Sequence, residues 1–233
     1  MTKRKNSEKK DKRGDSTHND KFRQRSTPVL RVMNQAQGQY LCSIQTKIIT
    51  FGIGSAGTGK TFISAAYAAQ ELAAHRTRKI IVTRPAVESG RGLGFLKGTL
   101  QEKYAPYLAP LSDVFISLYG VSWYESQVSN NNIEAVPLEY MQGKNFDNCI
   151  VIFDEAQNSS PTEMFMCLSR IGEGSKLIIS GDYRMQQMIK GLSGLEDAVN
   201  RISHLKDVGM VEFTTDDIVR SGICRDIVLA YSE

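Results

Sequence analysis

The segment KIITFGIGSAGTGKT, residues 47–61, decides the fold of this chain. Its first half, Lys47 to Ile53, is dominated by Ile and Phe and predicts a short buried strand. The eight residues from Gly54 to Thr61 match the pattern G-x-x-x-x-G-K-S/T in full, and an Ala-rich helical pattern then runs to about Ala74. A strand, a Gly-rich turn and a helix in this order form the context in which the pattern binds phosphate. The segment therefore predicts a phosphate-binding loop within an α/β fold.

The residue types in this loop suit the phosphates of a nucleoside triphosphate. Glycines let backbone N–H groups converge on phosphate oxygens, and the N-terminus of the following helix favours negative charge. We expect Lys60 to bridge the terminal phosphates and the Thr61 hydroxyl to ligate Mg²⁺. The alternative is a Gly-rich turn that binds nothing. The loop residues expected to hold ATP are Gly54, Ser55, Ala56, Gly57, Thr58, Gly59, Lys60 and Thr61.

Downstream of the loop, short apolar runs alternate with helical patterns. Further strands are predicted at 79–83, 133–136, 149–153, 175–180 and 210–214, and helices after Pro161, at 194–203 and at 222–231. Segment 99–130 also has a helical pattern, which we expect Pro106 and Pro110 to interrupt. Central strands that are apolar on both faces predict a mostly parallel sheet with helices on both sides.

Polar side chains follow two of these strands. Asp154 and Glu155 come directly after one, and Ser180 and Asp182 end another. Ligands of a parallel sheet bind beyond the carboxyl ends of its strands, so these residues share a crevice with the loop if their strands are neighbours. Asp154 suits Mg²⁺, and Glu155 suits a base that orients and deprotonates the attacking water. Two alternatives stay open: a solvated acid pair before a helix, and a plain strand exit at Ser180 and Asp182 in place of contacts to a γ-phosphate.

Composition narrows the class of protein. The 233 residues are 41% hydrophobic and 23% charged, which is typical of a soluble globular protein with one core. Apolar runs such as Cys149–Phe153 are far too short to cross a bilayer, and no apolar stretch follows the N-terminal charges as in a secretory signal. The four cysteines are scattered, as in reduced cytosolic proteins. We expect a cytoplasmic enzyme domain without a membrane partner.

The basic charge is concentrated at the N-terminus. Of the 29 basic and 25 acidic residues, segment 1–28 holds ten and four, which leaves 19 and 21 for the rest of the chain. With one aromatic residue and no hydrophobic periodicity, this tail is predicted to be disordered and residues 29–233 to form the folded domain. Two interpretations of the tail stay open: an arm that holds nucleic acid electrostatically, and a solvated extension.

The assembled motifs resemble those of the PhoH-type ATPases, a P-loop family related to the cores of superfamily-one helicases. The resemblance covers residues 29–231. It depends on GIGSAGTGKT (52–61), TRPAVESGRGLGFLKG (83–98), PLEYMQG (137–143), IVIFDEAQN (150–158), SRIGEGSKLIISGD (169–182), SGL (193–195) and DIVRSG (217–222). It implies a RecA-like fold, Mg²⁺-dependent ATP hydrolysis and an action on RNA or DNA.

The resemblance also implies roles for three residues outside the loop. Gln37 matches a glutamine near the adenine, Gln157 a position that links the γ-phosphate to nucleic-acid contacts, and Arg220 an arginine finger. The chain departs from the usual residues of the family at four positions, which are Arg91, Lys97, Gln142 and Met185. The catalytic residues therefore match the family, whereas elements implied in coupling and nucleic-acid binding are altered.

The length of the chain bears on its assembly. About 200 ordered residues supply one RecA-like lobe, whereas helicases that walk along a strand use two. If Arg220 completes the site of a neighbour, the subunits must assemble head to tail, and a closing rotation makes a ring. We expect a homo-oligomeric ring, hexameric as the resemblance suggests.

Three functions stay open at this point. The first is an ATPase that couples hydrolysis to remodelling of single-stranded RNA or DNA. The second is a nucleotide-controlled binding or regulatory module without unwinding activity. The third is a small-molecule kinase, against which the run from Asp154 to Gln157 and the lack of an Arg-rich lid in the sequence both argue.

Overall fold

A computed structural model describes residues 29–85, 100–183 and 191–230, with the side chains of 100–107 left out. Helices and strands mostly alternate along this part of the chain. In order they are α1 (Gln35–Thr46), β1 (Ile49–Gly54), α2 (Lys60–Ala73), β2 (Lys79–Thr83), α3 (Leu100–Tyr119), α4 (Val121–Ser129), β3 (Ile133–Ala135), β4 (Cys149–Phe153), α5 (Pro161–Leu168), β5 (Lys176–Gly181), α6 (Gly194–Ile202), β6 (Val208–Phe213) and α7 (Gly222–Ala230).

Some predictions fall outside these ranges. The tail at 1–28 and the departures at Arg91, Lys97 and Met185 lie outside the described residues. The boundary between tail and domain therefore stays a prediction.

None of the described helices combines the length and the apolar content that a membrane-spanning helix needs.

The strands form one six-stranded sheet in the order β3-β2-β4-β5-β1-β6. Every neighbouring pair is parallel. The predicted parallel α/β fold is thereby confirmed. Because β5 lies between β1 and β4, the carboxyl ends of these three strands are adjacent, which is the condition for a shared crevice.

Each face of the sheet packs against its own set of helices. On β4, Ile150 and Ile152 belong to a buried cluster with residues of α1, α2 and α3. Val151 and Phe153 belong to a second cluster with residues of α5 and α6. The period of two along a strand explains this division, since successive side chains point to opposite faces. The predicted covering of both faces is confirmed.

Helix α1 is an element that the sequence patterns did not predict. The Asn34 side chain accepts a hydrogen bond from the backbone N–H of Gln37 and caps the first turn. Tyr40 and Ile44, four residues apart, are buried in the first of the two clusters. The signal was therefore present as an N-cap residue followed by an i, i+4 apolar pair.

Helix α3 corrects the prediction for segment 99–130. It continues through Pro106 and Pro110 and ends at Tyr119. The break comes at Gly120, whose φ of 88° lies in the left-handed region that favours glycine. A proline removes a single backbone donor, and here the rest of a long helix tolerates that loss.

The structure predicts that removal of the Tyr40 hydroxyl does not destabilise the fold. Its ring packs edge-on against Phe213, with ring centroids 5.5 Å apart. Its hydroxyl is buried and has no hydrogen-bond partner within the described part of the chain, and burial raises the pKa of Tyr40. Since a buried unpaired hydroxyl costs about 1–3 kcal/mol, we expect Tyr40→Phe to keep or raise the free energy of unfolding.

Urea denaturation followed by circular dichroism measures this change. Tyr40→Ala removes the ring and should lower the free energy of unfolding by about 3–5 kcal/mol. Tyr140→Phe, at an exposed position, is the matched control and should have no effect. A loss of more than about 1 kcal/mol in Tyr40→Phe would show that the hydroxyl has a partner.

Candidate nucleotide-binding site

The loop between β1 and α2 depends on glycine at both of its ends. Gly54 has a φ of 127°, and a Cβ built on it would overlap the carbonyl oxygen of Phe213 on β6. Gly59 has a φ of 89°, and its Cβ would lie 2.7 Å from Nε2 of Gln37. A side chain at either position would therefore strain the backbone and displace a neighbour. The loop conformation that presents N–H groups to a phosphate requires glycine at these two sites.

The Lys60 ammonium folds back over this loop. Its Nζ donates to the carbonyl oxygens of Gly54 at 2.6 Å and Ser55 at 2.8 Å. It also lies 5.7 Å from the centroid of the Phe213 ring. Burial lowers the pKa of Lys60, while the carboxylates of Asp182, Asp154 and Glu155 oppose that shift. A desolvated ammonium at a phosphate-binding turn has the chemistry to pair with an anionic ligand.

Asp154 joins three elements at the end of β4. Its Oδ1 accepts a hydrogen bond from Ser180 Oγ at 2.8 Å and lies 3.3 Å from Thr61 Oγ1. Burial raises the pKa of Asp154, and the hydrogen bond from Ser180 opposes the shift. Carboxylate and hydroxyl oxygens are ligands that fit Mg²⁺. No group of three or more His, Cys, Asp or Glu that could hold a metal occurs among the described residues, so a magnesium ion here would depend on Thr61, Asp154 and ligand phosphates.

Glu155 is held at both carboxylate oxygens. Arg84 Nη2 lies 3.0 Å from Oε1, and Gln157 Nε2 donates to Oε2 at 2.7 Å. The backbone of Glu155 has a φ of 54°, a left-handed conformation that a side chain rarely adopts and that is enriched at functional sites. Gln157 Oε1 accepts from the backbone N–H of Asp182 at 3.2 Å, so this amide connects Glu155 to the end of β5.

Gln37 supports the loop from the side of α1. Its Nε2 donates to the carbonyl oxygen of Thr58 at 2.9 Å, and its Oε1 accepts from the backbone N–H of Met33 at 2.8 Å. The side-chain amide is thus engaged by the protein itself. Its contact to adenine stays a prediction, and the observed role of Gln37 is to fix Thr58 and Met33 relative to each other.

Arg220 lies next to the phosphate loop of its own chain. A Cβ built on Gly57 would be 3.2 Å from Cδ of Arg220. The adjacent Val219 donates its backbone N–H to the carbonyl oxygen of Gly57 at 3.0 Å. The structure therefore places this side chain at the site within one chain.

These residues surround a cavity of about 670 Å³, a volume within the usual range for small-molecule sites. The predicted site residues that line it are Gln37, Gly54, Ala56, Gly57, Gly59, Lys60, Thr61, Asp154, Glu155, Gln157, Asp182 and Arg220. Ser55 and Thr58 are buried in the loop itself. The structure thus brings the predicted residues together, while their roles in binding and catalysis stay predictions. Lining residues that the sequence did not single out include Arg31, Met33, Phe62, Arg84 and Val219.

The comparison with known families agrees with this geometry. The sequence model of the family described as PhoH-like protein matches residues 29–232. The chain belongs to the PhoH-like family. The predicted resemblance to the PhoH-type P-loop family is thereby confirmed.

Two curated members of the PhoH-like family show how far the likeness extends. Protein PhoH of Escherichia coli (strain K12) is 41% identical over 211 residues, which is 89% of this chain and 60% of the relative. The PhoH-like protein of Bacillus subtilis (strain 168) is 41% identical over 205 residues, 88% of this chain and 64% of the relative. The chain therefore spans less than two thirds of the length of these relatives.

A solved structure supports the fold assignment. The large terminase from a thermophilic bacteriophage aligns with a TM-score of 0.52 and 13% sequence identity, and the alignment covers 85% of this chain and 50% of the terminase. At this identity the likeness concerns the fold.

The loop geometry yields a direct test of nucleotide binding. Gly59→Ala should weaken the binding of ATP about tenfold or more, because the new Cβ strains the turn and displaces Gln37. Gly143→Ala is the matched control, since Gly143 also has a positive φ of 76° but no heavy atom lies within 4 Å of its Cβ. Titration calorimetry on both folded variants measures the two affinities. Equal affinities in Gly59→Ala and Gly143→Ala would exclude this loop as the phosphate site.

Proposed function

We propose that this chain hydrolyses ATP with Mg²⁺ and couples hydrolysis to the binding or remodelling of single-stranded RNA or DNA. The observation that supports hydrolysis is the convergence of Lys60, Thr61, Asp154 and Glu155 on one cavity. A phosphate loop alone binds nucleotides. A carboxylate placed to hold a metal and a second one placed to activate water are what phosphoryl transfer to water needs in addition.

The predicted site residues have proposed parts in this reaction. The loop amides and Lys60 bind the phosphates, and Thr61 with Asp154 hold Mg²⁺, which would neutralise phosphate charge when bound. Glu155 orients the attacking water and accepts its proton. Gln37 contacts the adenine, and Arg220 stabilises charge on the transferring phosphoryl group.

The proposed coupling to nucleic acid depends on residues that lead from the cavity to α6 and on the basic N-terminal segment. Gln157 and Asp182 connect Glu155 to β5, and Ser193 Oγ, at the N-terminus of α6, donates to the Gln157 carbonyl oxygen at 2.9 Å. A change at Glu155 thus has a bonded route to α6. Segment 1–28, with ten basic and four acidic residues, supplies charge that attracts a phosphate backbone.

A second function is an ATP-controlled nucleic-acid-binding or regulatory switch without unwinding activity. The hydrogen-bonded connection from Glu155 through Gln157 to α6 favours it, because a switch needs a route from the nucleotide to another surface and no strand separation. Stimulation of turnover by single-stranded RNA or DNA supports the first function, and unchanged turnover supports the switch. A cytoplasmic location stays a prediction from the scattered cysteines.

Replacement of the proposed base tests hydrolysis. Glu155→Gln should lower kcat for phosphate release by about 100-fold or more while ATP still binds, because the amide cannot accept the proton of water. The exposed Glu139→Gln is the matched control and should keep full activity. Each variant is assayed with and without Mg²⁺ and with and without single-stranded RNA and DNA. A Glu155→Gln enzyme that retains its turnover would contradict the assignment of the base.

The placement of Arg220 bears on assembly. A ring, hexameric as the family resemblance suggests, stays a prediction, and a finger acting within one chain does not require it. We therefore expect mixtures of Arg220→Ala and Lys60→Ala subunits to show no more ATPase activity than the sum of the two proteins assayed alone. Sedimentation first establishes whether the subunits associate and exchange. Recovery above that sum would show that Arg220 acts across an interface.

A further inference from the structure

Arg84 stands at the carboxyl end of β2, directly beside the proposed catalytic carboxylates. In the pairing of β2 with β4, Thr83 lies opposite Phe153. The backbone N–H of Asp154 donates to the carbonyl oxygen of Thr83 at 3.0 Å, which continues the pairing by one step. The residues that follow, Arg84 after β2 and Asp154 with Glu155 after β4, are therefore brought to the same edge of the sheet.

The contact between Arg84 and Glu155 lies on the cavity wall. Their charged atoms are 3.0 Å apart, and the two side chains are 26% and 42% exposed. Both residues line the same cavity as Lys60 and Thr61. The ion pair is thus open to a ligand in the phosphate site and is not buried in the core.

Three of the cations that line the cavity differ in what they contact. Lys60 donates to loop carbonyl oxygens, and Arg220 packs against the loop at Gly57. Arg84 approaches from another strand and contacts the proposed base. Among these three side chains, Arg84 is the one that pairs with a carboxylate within the described part of the chain. A phosphate is also an anion with charged oxygens, so it can replace that carboxylate.

The energies of the two pairings favour an exchange. An ion pair between partly exposed side chains contributes about 0–1 kcal/mol, so breaking the contact of Arg84 with Glu155 has a small cost. A guanidinium binds carboxylate and phosphate alike through charge-assisted hydrogen bonds, but a triphosphate carries more negative charge than the single carboxylate of Glu155 and therefore attracts Arg84 more strongly.

We propose that Arg84 binds the terminal phosphate of a bound nucleoside triphosphate and that Glu155 competes for the same guanidinium. With a triphosphate in the cavity, Arg84 leaves Glu155 Oε1 for a phosphate oxygen, and the freed oxygen becomes available to water. With a diphosphate, Arg84 returns to Glu155. Arg84 thus distinguishes the two nucleotides and controls the availability of the base. This inference depends on the proposed function as an ATP hydrolase.

Nucleotide affinities measured without turnover test the first half of the proposal. A non-hydrolysable triphosphate and a diphosphate, both carrying a fluorescent label, are titrated with Mg²⁺ against the wild-type chain and against Arg84→Gln. We expect affinity for the triphosphate to fall about tenfold or more and affinity for the diphosphate to change less than about twofold. Arg84→Lys keeps the charge without the fork and should lie in between.

A second ion pair of the chain provides the matched control. Arg76 pairs with Glu71 at 2.6 Å and does not line this cavity. Arg76→Gln should therefore leave both affinities unchanged. Thermal unfolding of every variant establishes that the folded domain is being compared.

The competition with Glu155 is tested by a double-mutant cycle on the same affinities. Glu155→Gln weakens the hold on Arg84, so it should tighten triphosphate binding severalfold when Arg84 is present. In Arg84→Gln/Glu155→Gln that gain should disappear. A purely structural ion pair would also make the two substitutions non-additive, but loss of Glu155 would then weaken triphosphate binding or leave it unchanged, and would not tighten it.

The possible outcomes separate the proposal from its alternatives. Equal loss of triphosphate and diphosphate affinity in Arg84→Gln, or no loss of either, overturns the proposal. A gain in Glu155→Gln that persists in the double variant overturns the competition between Glu155 and phosphate. If the wild-type chain binds neither nucleotide, the proposed hydrolase function itself fails, which is distinguishable from a wild-type chain that binds both and is insensitive to Arg84.

Discussion

The buried carboxylate of Asp154 is the group on which the architecture of the cavity depends. It is reached by Ser180 from the end of β5 and by Thr61 from the first turn of α2. These contacts are possible because β5 lies between β4 and β1, so that parallel strands deliver their polar ends to one edge. A buried carboxylate without partners would be strongly unfavourable, and two hydroxyl groups from neighbouring elements supply the compensation. The buried position of the Asp154 carboxylate therefore depends on the strand order, which supplies its hydroxyl partners.

The same burial leaves the site complementary to a metal-bound phosphate. Desolvation disfavours the charged form of both groups, since it raises the pKa of Asp154 and lowers the pKa of Lys60. Charges introduced between them would oppose both effects, because an anion stabilises the ammonium and a cation stabilises the carboxylate. A magnesium ion and a nucleotide phosphate are such a pair of charges. The electrostatics of these two groups therefore fit the same ligand class as the geometry of the loop.

How much the sequence predicts depends on whether a feature is local. The phosphate loop, Asp154 and Glu155 were predictable because each follows a strand directly, and the parallel order only had to bring the strand ends together. Arg84 also follows a strand, but a lone arginine there has no local signature, and its partner became visible only through the register of β2 and β4. The predicted interruption at Pro106 and Pro110 was wrong for a related reason, since packing of α3 on the core outweighs the local effect of two prolines.

Gln157 shows how a change at the cavity can reach the rest of the molecule. It is buried and bonded on three sides, to Glu155, to the backbone of Asp182 and to Ser193 at the start of α6. A Cβ built on Gly181 would lie 2.5 Å from Oε1 of Gln157, so the backbone at the end of β5 passes close to this side chain. Gln157 therefore has little space in which to move alone. A displacement of Glu155 that keeps its bond to Gln157 must therefore be shared with β5 and α6. If Arg84 leaves Glu155, the change is local, but it can be transmitted to α6 through Gln157. A nucleic acid or protein that responds to the nucleotide needs a connection of this kind.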